Sequence, residues 1–318
     1  MHLHKPKIVI AEAGEYSSAA LALYQQLGEL QQFLSPEENG FADAIAHANV
    51  LVVRLAKVWN AASLATAQHL QYIVTPTTGL DHIDTTYCAL KGIQVVSLQG
   101  ETDFLDHIPS TAEHTWALLL ASVKKIVPAV ADVQQGAWNR NNWKGNNLQG
   151  KTIGIIGLGR VGRQVARFAA AFGMHCLAYD IHQEQLKLAA VQLMPLVDLL
   201  QQSDVISIHI PGAGNDDFLS AELLQQCKHG SIVVNTSRGN VWNESAVAQL
   251  LETGHIAAVA TDVIHEELSG QLTKSPLWQL AQYNNRVLIT PHIAGATYES
   301  MAATEIFIAK KLQQALLQ

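Results

Sequence analysis

The chain has 318 residues, 48% hydrophobic and 15% charged, with a formal net charge of −7. That length exceeds what one core usually holds, so two domains are expected, and the acidic balance excludes a broadly basic nucleic-acid surface. Cys88, Cys176 and Cys227 stand apart without a C-x-x-C pair, which argues against a disulfide framework.

No apolar run approaches roughly 18 residues without polar interruption, so no membrane span is expected. The N-terminus runs into a strand and lacks the apolar core of a signal peptide. A reducing cytoplasm is the simplest expected home. The 14 histidines include no His-Glu-x-x-His and no Cys/His cluster at metal-ligand spacing, so no metal site is predicted.

In chain order, strands are predicted at 7–13, 49–54, 72–76 and 94–98, with helices at 19–30 and 61–70 and a turn at 36–40. Alternation of this kind implies parallel βαβ units, so the N-terminal third reads as an α/β domain. A long helix follows over 110–127, with Ser110 and Glu113 in capping-box spacing. It is apolar over most of its surface, which suits a position between domains or at a subunit contact. Trp138, Arg140, Trp143 and several asparagines then form a polar connection.

The connection leads to Thr152-Ile-Gly-Ile-Ile-Gly157-Leu-Gly159-Arg160-Val161-Gly162, an apolar strand, a glycine turn and a helix start. Gly157 can take the tight turn, Gly159 leaves room for a pyrophosphate, and Gly162 lets the helix lie close on the strand. The helix N-terminus offers N–H groups and the positive end of its dipole to phosphate. The next strand ends in Asp180, 18 residues after Gly162. A carboxylate there can accept from both ribose hydroxyls of NAD and repels the extra phosphate of NADP.

Beyond Asp180, strands are predicted at 191–194, 205–210, 231–236, 256–263 and 286–290, and helices at 196–202, 221–227, 244–252, 276–280 and 298–316. That is enough for a six- or seven-stranded doubly wound sheet, whose ligands bind outside the carboxyl ends of the strands. Those ends carry Asn235-Thr236-Ser237-Arg238-Gly239, then Asp262 leading to Glu267, then Thr290-Pro291-His292. Taken singly, each has a plain structural reading: a surface arginine, a solvated acid, a capped histidine. Together, beside a dinucleotide site, they suggest hydride transfer coupled to proton transfer.

At these residues the sequence resembles the D-isomer-specific 2-hydroxyacid dehydrogenases. The resemblance runs over nearly the whole chain through Thr78-Gly79-Leu-Asp-His-Ile-Asp84, Thr111-Ala-Glu-His-Thr-Trp-Ala-Leu-Leu-Leu, the glycine stretch, Asn235-Thr-Ser-Arg-Gly and Thr290-Pro-His-Ile-Ala-Gly-Ala-Thr. It implies two Rossmann-like doubly wound domains, with an NAD-binding domain (108–292) inserted into a discontinuous flavodoxin-like substrate domain (1–107 and 293–318). It implies a small 2-keto or 2-hydroxy acid substrate and a homodimer. Arg238 resembles the arginine that binds the substrate carboxylate. His292 resembles the acid/base, and Glu267 its partner, since a carboxylate beside an imidazole favours the charged ring. Gly157, Gly159, Arg160, Val161, Gly162, Asp180, Pro211, Thr236, Ser237, Asp262 and Gly295 match cofactor contacts, with Asp262 near the nicotinamide carboxamide. The Thr78 and Gly79 amides match the carboxylate-binding loop.

There are departures. The loop Thr75-Pro76-Thr77-Thr78-Gly79 stands where many members have an arginine and another glycine, and is expected to be stiffer. Residues 99–107 form a longer, more acidic connection than usual, read as a surface loop or contact in preference to a lid. Asn240-Val-Trp242-Asn243-Glu244 replaces commoner glycine and aspartate. With the chain ending at 318, no C-terminal regulatory domain is expected. Arg54, at a strand end, is a candidate for a second anionic group of the substrate or for a structural ion pair. Two other readings of the fold stay open: an NAD-sensing corepressor-like binding protein, and a formate- or phosphite-type dehydrogenase.

Overall fold

In the computed structural model the described residues are 5–182, 190–265, 267 and 270–317. The chain divides into two compact units, one reaching His107 and resuming at Ala296, the other running from Ile108 to Gly295.

The first unit begins with β1 (Lys7–Ile10), α1 (Ser18–Leu27), β2 (Glu29–Gln32), α2 (Phe41–Ala46), β3 (Val50–Val52), β4 (Tyr72–Val74), α3 (Thr85–Leu90), β5 (Gln94–Val96) and α4 (Thr102–Leu105). Its five strands pair in parallel in the order β2-β1-β3-β4-β5. This is a doubly wound order with its switch point at β1 and β3. The central strands are short continuous apolar runs, Ile8-Val-Ile10 and Val50-Leu-Val52, buried because helices cover both faces.

The second unit contains α5 (Ser110–Lys124), α6 (Ile126–Gln134), β6 (Thr152–Ile156), α7 (Arg160–Ala171), β7 (His175–Tyr179), β8 (Val191–Leu193), α8 (Leu196–Gln202), β9 (Val205–Ile208), α9 (Ala221–Leu224), β10 (Ser231–Asn235), α10 (Glu244–Glu252), β11 (Ile256–Thr261), α11 (Pro276–Ala281) and β12 (Val287–Ile289). Seven strands pair in the order β12-β11-β10-β9-β6-β7-β8, so the chain reverses direction across the sheet between β6 and β9. The apolar face of α5, including Ala112, Trp116, Leu119 and Val123, is buried within this unit's own core with Val165 and Ala169 of α7 and Ala260 of β11.

The last helix, α12 (Tyr298–Ala315), belongs to the first unit. Its Glu305, 1% exposed, accepts from the Ser17 N–H at 2.7 Å and pairs with Arg54. Lys311 pairs with Glu101 at 2.6 Å and donates to the Ser97 carbonyl at 2.8 Å, and Phe307 stacks on Phe104 with ring centroids 4.0 Å apart. The 99–107 segment is therefore anchored on α12, and α4 forms within it.

Four local expectations are corrected. The helix expected over 61–70 is a run of turns, because Asn60 Oδ1 takes the N–H groups of Ala62 and Ser63 and Ser63 Oγ bonds back to Asn60. The helix expected to reach Leu30 ends at Leu27, and residues 29–32 form an edge strand that carries no hydrophobic alternation. The capping box at Ser110 does not form; Pro109 takes the N-cap position and the Glu113 N–H bonds to its carbonyl. The long helix breaks at Lys125, whose φ of 54° lies in the left-handed region, and α6 starts there.

Candidate active site

The glycine turn lies at the β6–β9 switch point. Gly157 has a φ of 90°, and a Cβ on it would lie 2.7 Å from the His209 carbonyl. A Cβ on Gly162 would strike the Gly157 carbonyl oxygen, so the helix start and the turn touch backbone to backbone. At Gly159 a Cβ would meet nothing within 4 Å, which leaves the start of α7 open to a ligand. Asp180 follows β7; its carboxylate accepts from the Leu158 N–H at 2.8 Å and the His182 N–H at 2.8 Å, which fixes it beside the turn. An anion-binding helix start with a fixed acid beside it fits the pyrophosphate and ribose of NAD. Arg160 also donates to the Ile108 carbonyl at 3.1 Å. Nearby, burial pushes the His209 imidazole down to about 3, so the ring is neutral near pH 7; its Nε2 lies 2.7 Å from Ser207 Oγ.

The other residues sit on the three neighbouring parallel strands β10, β11 and β12. After β10, Asn235 shapes the turn: its Oδ1 accepts from Ser237 and its Nδ2 donates to the Arg238 carbonyl at 2.9 Å. Gly239 then packs its bare Cα on the Ile264–His265 backbone, and a Cβ on Gly212 would lie 2.8 Å from Arg238 Cγ. Close approach of the loop after β9 and the segment after β11 thus frames Arg238. Pro211, in that β9 loop, is exposed and its carbonyl accepts from Asn215 at 2.9 Å. Thr236 Oγ1 lies 2.7 Å from Thr115 Oγ1 of α5.

After β12 the chain turns at His292, whose φ is 52°. Three successive N–H groups of this turn end on Asp262. His292 donates to its carbonyl at 2.9 Å, Ile293 to Oδ1 at 2.9 Å and Ala294 to Oδ2 at 2.7 Å. Residues 293–295 accordingly belong to the second unit. Thr290 Oγ1 also donates to Asp262 Oδ1 at 2.6 Å, and His114 Nε2 lies 2.9 Å from that hydroxyl and 3.4 Å from the carboxylate. Burial acts to raise the Asp262 pKa, but hydrogen bonds from His114, Thr290, Ala294 and Ile293 outweigh it and hold the carboxyl below its ordinary value. His292 Nδ1 pairs with Glu267 Oε1, so Nε2 is the ring nitrogen that Glu267 does not engage. Glu267 Oε2 accepts from the Ile264 N–H at 3.3 Å. His292, Glu267 and Asp262 thus form one connected group, and Gly295, at the end of the turn, is exposed.

In the first unit, Thr77 Oγ1 donates to the Gly79 carbonyl at 2.8 Å, and Thr75 Oγ1 lies 2.9 Å from Thr77 Oγ1 and 3.2 Å from His82 Nε2. This side-chain lacing holds the loop after β4. The N–H groups of Thr78 and Gly79 donate to nothing among the described residues. Arg54 follows β3. Its guanidinium pairs with Glu305, donates to the Gly14 carbonyl at 3.0 Å and lies 4.7 Å over the Tyr16 ring. Of the two roles open to Arg54, this geometry is that of an ion pair.

Sequence reasoning passed over His114, Thr115 and Asn235 as site residues. The only signal for the first two was their place in the Thr111–Leu120 motif, where they read as helix. Among the described residues no group of His, Cys, Asp and Glu side chains can hold a metal.

Comparison with known proteins bears on the same elements. The family model described as D-isomer specific 2-hydroxyacid dehydrogenase, NAD binding domain, matches residues 116–294, more than half of the chain. A D-3-phosphoglycerate dehydrogenase from Mycobacterium tuberculosis is 34% identical over 314 residues, covering 98% of this chain and 57% of the relative. A hydroxypyruvate reductase from Thermotoga maritima is 32% identical over 277 residues, 87% of either chain. The chain thus spans little more than half the length of the D-3-phosphoglycerate dehydrogenases it matches. Among solved structures, D-lactate dehydrogenase from Aquifex aeolicus, complexed with NAD and lactic acid, is similar with a TM-score of 0.79 and 25% identity, covering 97% of this chain and 95% of that one.

Proposed function

This chain belongs to the D-isomer-specific 2-hydroxyacid dehydrogenase family, and from that premise we propose that it interconverts a 2-keto acid and a D-2-hydroxy acid with NAD(H). The observation that carries the reading is the His292–Glu267 pair, mounted on a turn whose three N–H groups end on Asp262.

NADH, when bound, supplies the hydride that the carbonyl carbon accepts. His292 gives the proton from Nε2 to the carbonyl oxygen, and takes it back in the oxidation direction. Glu267 holds Nδ1–H, which fixes the tautomer and stabilises the imidazolium that forms during oxidation. Arg238 binds the substrate carboxylate, a task suited to a planar two-pronged cation. The Thr78 and Gly79 amides, which find no acceptor among the described residues, are assigned to the substrate as a further anion contact. Gly157, Gly159, Arg160, Val161 and Gly162 are assigned to the pyrophosphate and Asp180 to the adenosine ribose. Pro211, Thr236, Ser237, Asp262 and Gly295 are assigned to the nicotinamide half.

A homodimer is part of the proposal, with the contact on α6 in place of α5. Ile126, Val127, Val130 and Val133 of α6 are all exposed, and no residue of that helix is buried. Three buried, unpaired cysteines suit a reducing cytoplasm. No helix among the described residues is long and apolar enough to cross a membrane.

The test is NADH oxidation against pyruvate, glyoxylate, hydroxypyruvate, phosphohydroxypyruvate and 2-ketoglutarate, with Arg238→Gln and His292→Asn alongside. Turnover with one of these acids is expected, reduced about 10²–10⁴-fold by His292→Asn. No turnover on the whole panel, or variants at parental rates, would overturn the reading.

A further inference from the structure

His114 has no part in the chemistry above, yet it closes a chain of contacts that ends on the His292 turn. The direction of that chain follows from proton counting. The Thr290 hydroxyl has one hydrogen, and at 2.6 Å that hydrogen goes to Asp262 Oδ1, because an ionised carboxylate has none to give. The hydroxyl oxygen is left to accept, so the 2.9 Å contact with His114 must come from an Nε2–H. Whenever the ring is neutral, Nδ1 is then its unprotonated nitrogen.

The chain leads to a turn that needs support. His292 lies in the left-handed region, which a side chain adopts only when its surroundings over-determine it. Its support is Asp262, which takes the N–H groups of residues 292, 293 and 294. Asp262 can aim its two side-chain oxygens at the Ile293 and Ala294 amides only while its own torsions are fixed, and the Thr290 hydroxyl at 2.6 Å, with His114 Nε2 behind it at 3.4 Å, is what fixes them. One residue after His114, Thr115 Oγ1 reaches Thr236 Oγ1 at 2.7 Å. The second turn of α5 therefore braces the ends of both β10 and β12.

We propose that His114 is a positioning residue: its Nε2–H, acting through the Thr290 hydroxyl, locks the Asp262 carboxylate and thereby the turn that aims His292. This rests on the reading of His292 as the acid/base. The relay meets the start of the Arg238 turn only through the main-chain Asp262 N–H on the Asn235 carbonyl, a bond that a change at His114 leaves in place, so its loss acts on the proton-transfer step and leaves ground-state binding of the keto acid nearly unchanged.

The test compares the parent with His114→Ala and His114→Gln, since a glutamine amide can also donate to Thr290. In His114→Ala, kcat should fall about 10–100-fold, the range typical for residues that orient a working side chain. KM for the keto acid should stay within about 3-fold. His114→Gln should recover most of the lost kcat. A purely structural role would instead lower the melting temperature and leave kcat of the folded fraction intact. Long-range ¹H–¹⁵N spectra of the histidine rings give a readout free of turnover, with the His114 signals assigned by their loss in His114→Gln. The parent should show His114 protonated at Nε2, and His114→Ala should shift the His292 ring signals. The proposal is overturned by kcat within about 2-fold in His114→Ala, by a folded His114→Gln as slow as His114→Ala, or by an Nδ1-protonated neutral ring. If the parent shows no turnover, the hydride-transfer reading fails, while the ring spectra still decide whether the brace exists.

Discussion

Replacing Asp262 by asparagine keeps the shape of the side chain and removes its charge and one of its two acceptor oxygens. Asp262 is 1% exposed, so water cannot make up the loss. Its Oδ1 accepts from Thr290 at 2.6 Å and Ile293 at 2.9 Å, and its Oδ2 from Ala294 at 2.7 Å. If the asparagine oxygen takes the first position, its NH2 faces the Ala294 N–H; if it takes the second, two donors face the NH2. Even in the better orientation one charge-assisted bond is lost, about 1.5–3 kcal/mol, and a buried donor is left unpaired, about 1–3 kcal/mol. The sum is about 2.5–6 kcal/mol, or a fall in Tm of roughly 5–24 °C for a unit of this size. The sign with pH is also set. The folded carboxyl is held below its ordinary value, so its contribution is full above the unfolded value near about 4 and is lost as pH falls through the folded one. Thermal unfolding of parent and Asp262→Asn should therefore differ most above the unfolded value near about 4 and converge as pH falls below it toward the lowered folded value. A variant melting within about 2 °C of the parent at pH 7, with turnover within about 2-fold, would refute the claim that Asp262 holds the His292 turn.

Other outcomes follow from single contacts. Gly162→Ala puts a methyl group against the Gly157 carbonyl and should weaken NADH binding about 10-fold in a fluorescence titration while leaving the fold intact. His209, pushed down to about 3 by burial, stays neutral in the folded chain while the unfolded chain takes up a proton below about pH 6.5. Stability should fall by up to about 1.4 kcal/mol per pH unit on acidification below that point, and His209→Gln should flatten this slope in urea titrations. Glu305→Gln leaves the guanidinium of Arg54, with a side chain 18% exposed, without its buried counter-charge, and should cost about 3–5 kcal/mol in first-unit stability. Hydrogen exchange of α1 and β3 amides would report that loss.

The readable parts of the sequence were those where one local pattern serves one structural need. The glycine turn announces itself because no other residue allows the Gly157–Gly162 contact, and Arg238, Glu267 and His292 stand out as candidates because each follows an apolar strand. The strand β2 was hidden: Glu29-Leu-Gln-Gln32 pairs along a polar edge and buries almost nothing. The segment 61–70 misled because Leu64, Ala67 and Leu70 have helical spacing and do face the core, yet Asn60 and Ser63 take the backbone donors for themselves. His114 could not be found from its neighbours, since its meaning lies in Thr290, 176 residues away. Arg54 was ambiguous for the same reason, with Glu305 251 residues distant.

That last separation bears on how the molecule is made. Synthesis delivers all five strands of the first unit by Val96, but the helix that supplies Glu305, Phe307 and Lys311 emerges only after the entire second unit. The nascent first sheet must therefore wait through 188 residues of translation, from Ile108 to Gly295, with Arg54 lacking its counter-ion and Phe104 its stacking partner. The second unit is continuous and can close on itself as it emerges. A ribosome that stalls within α12 would release a finished nucleotide fold joined to an unsealed partner, a species that invites chaperones and proteases.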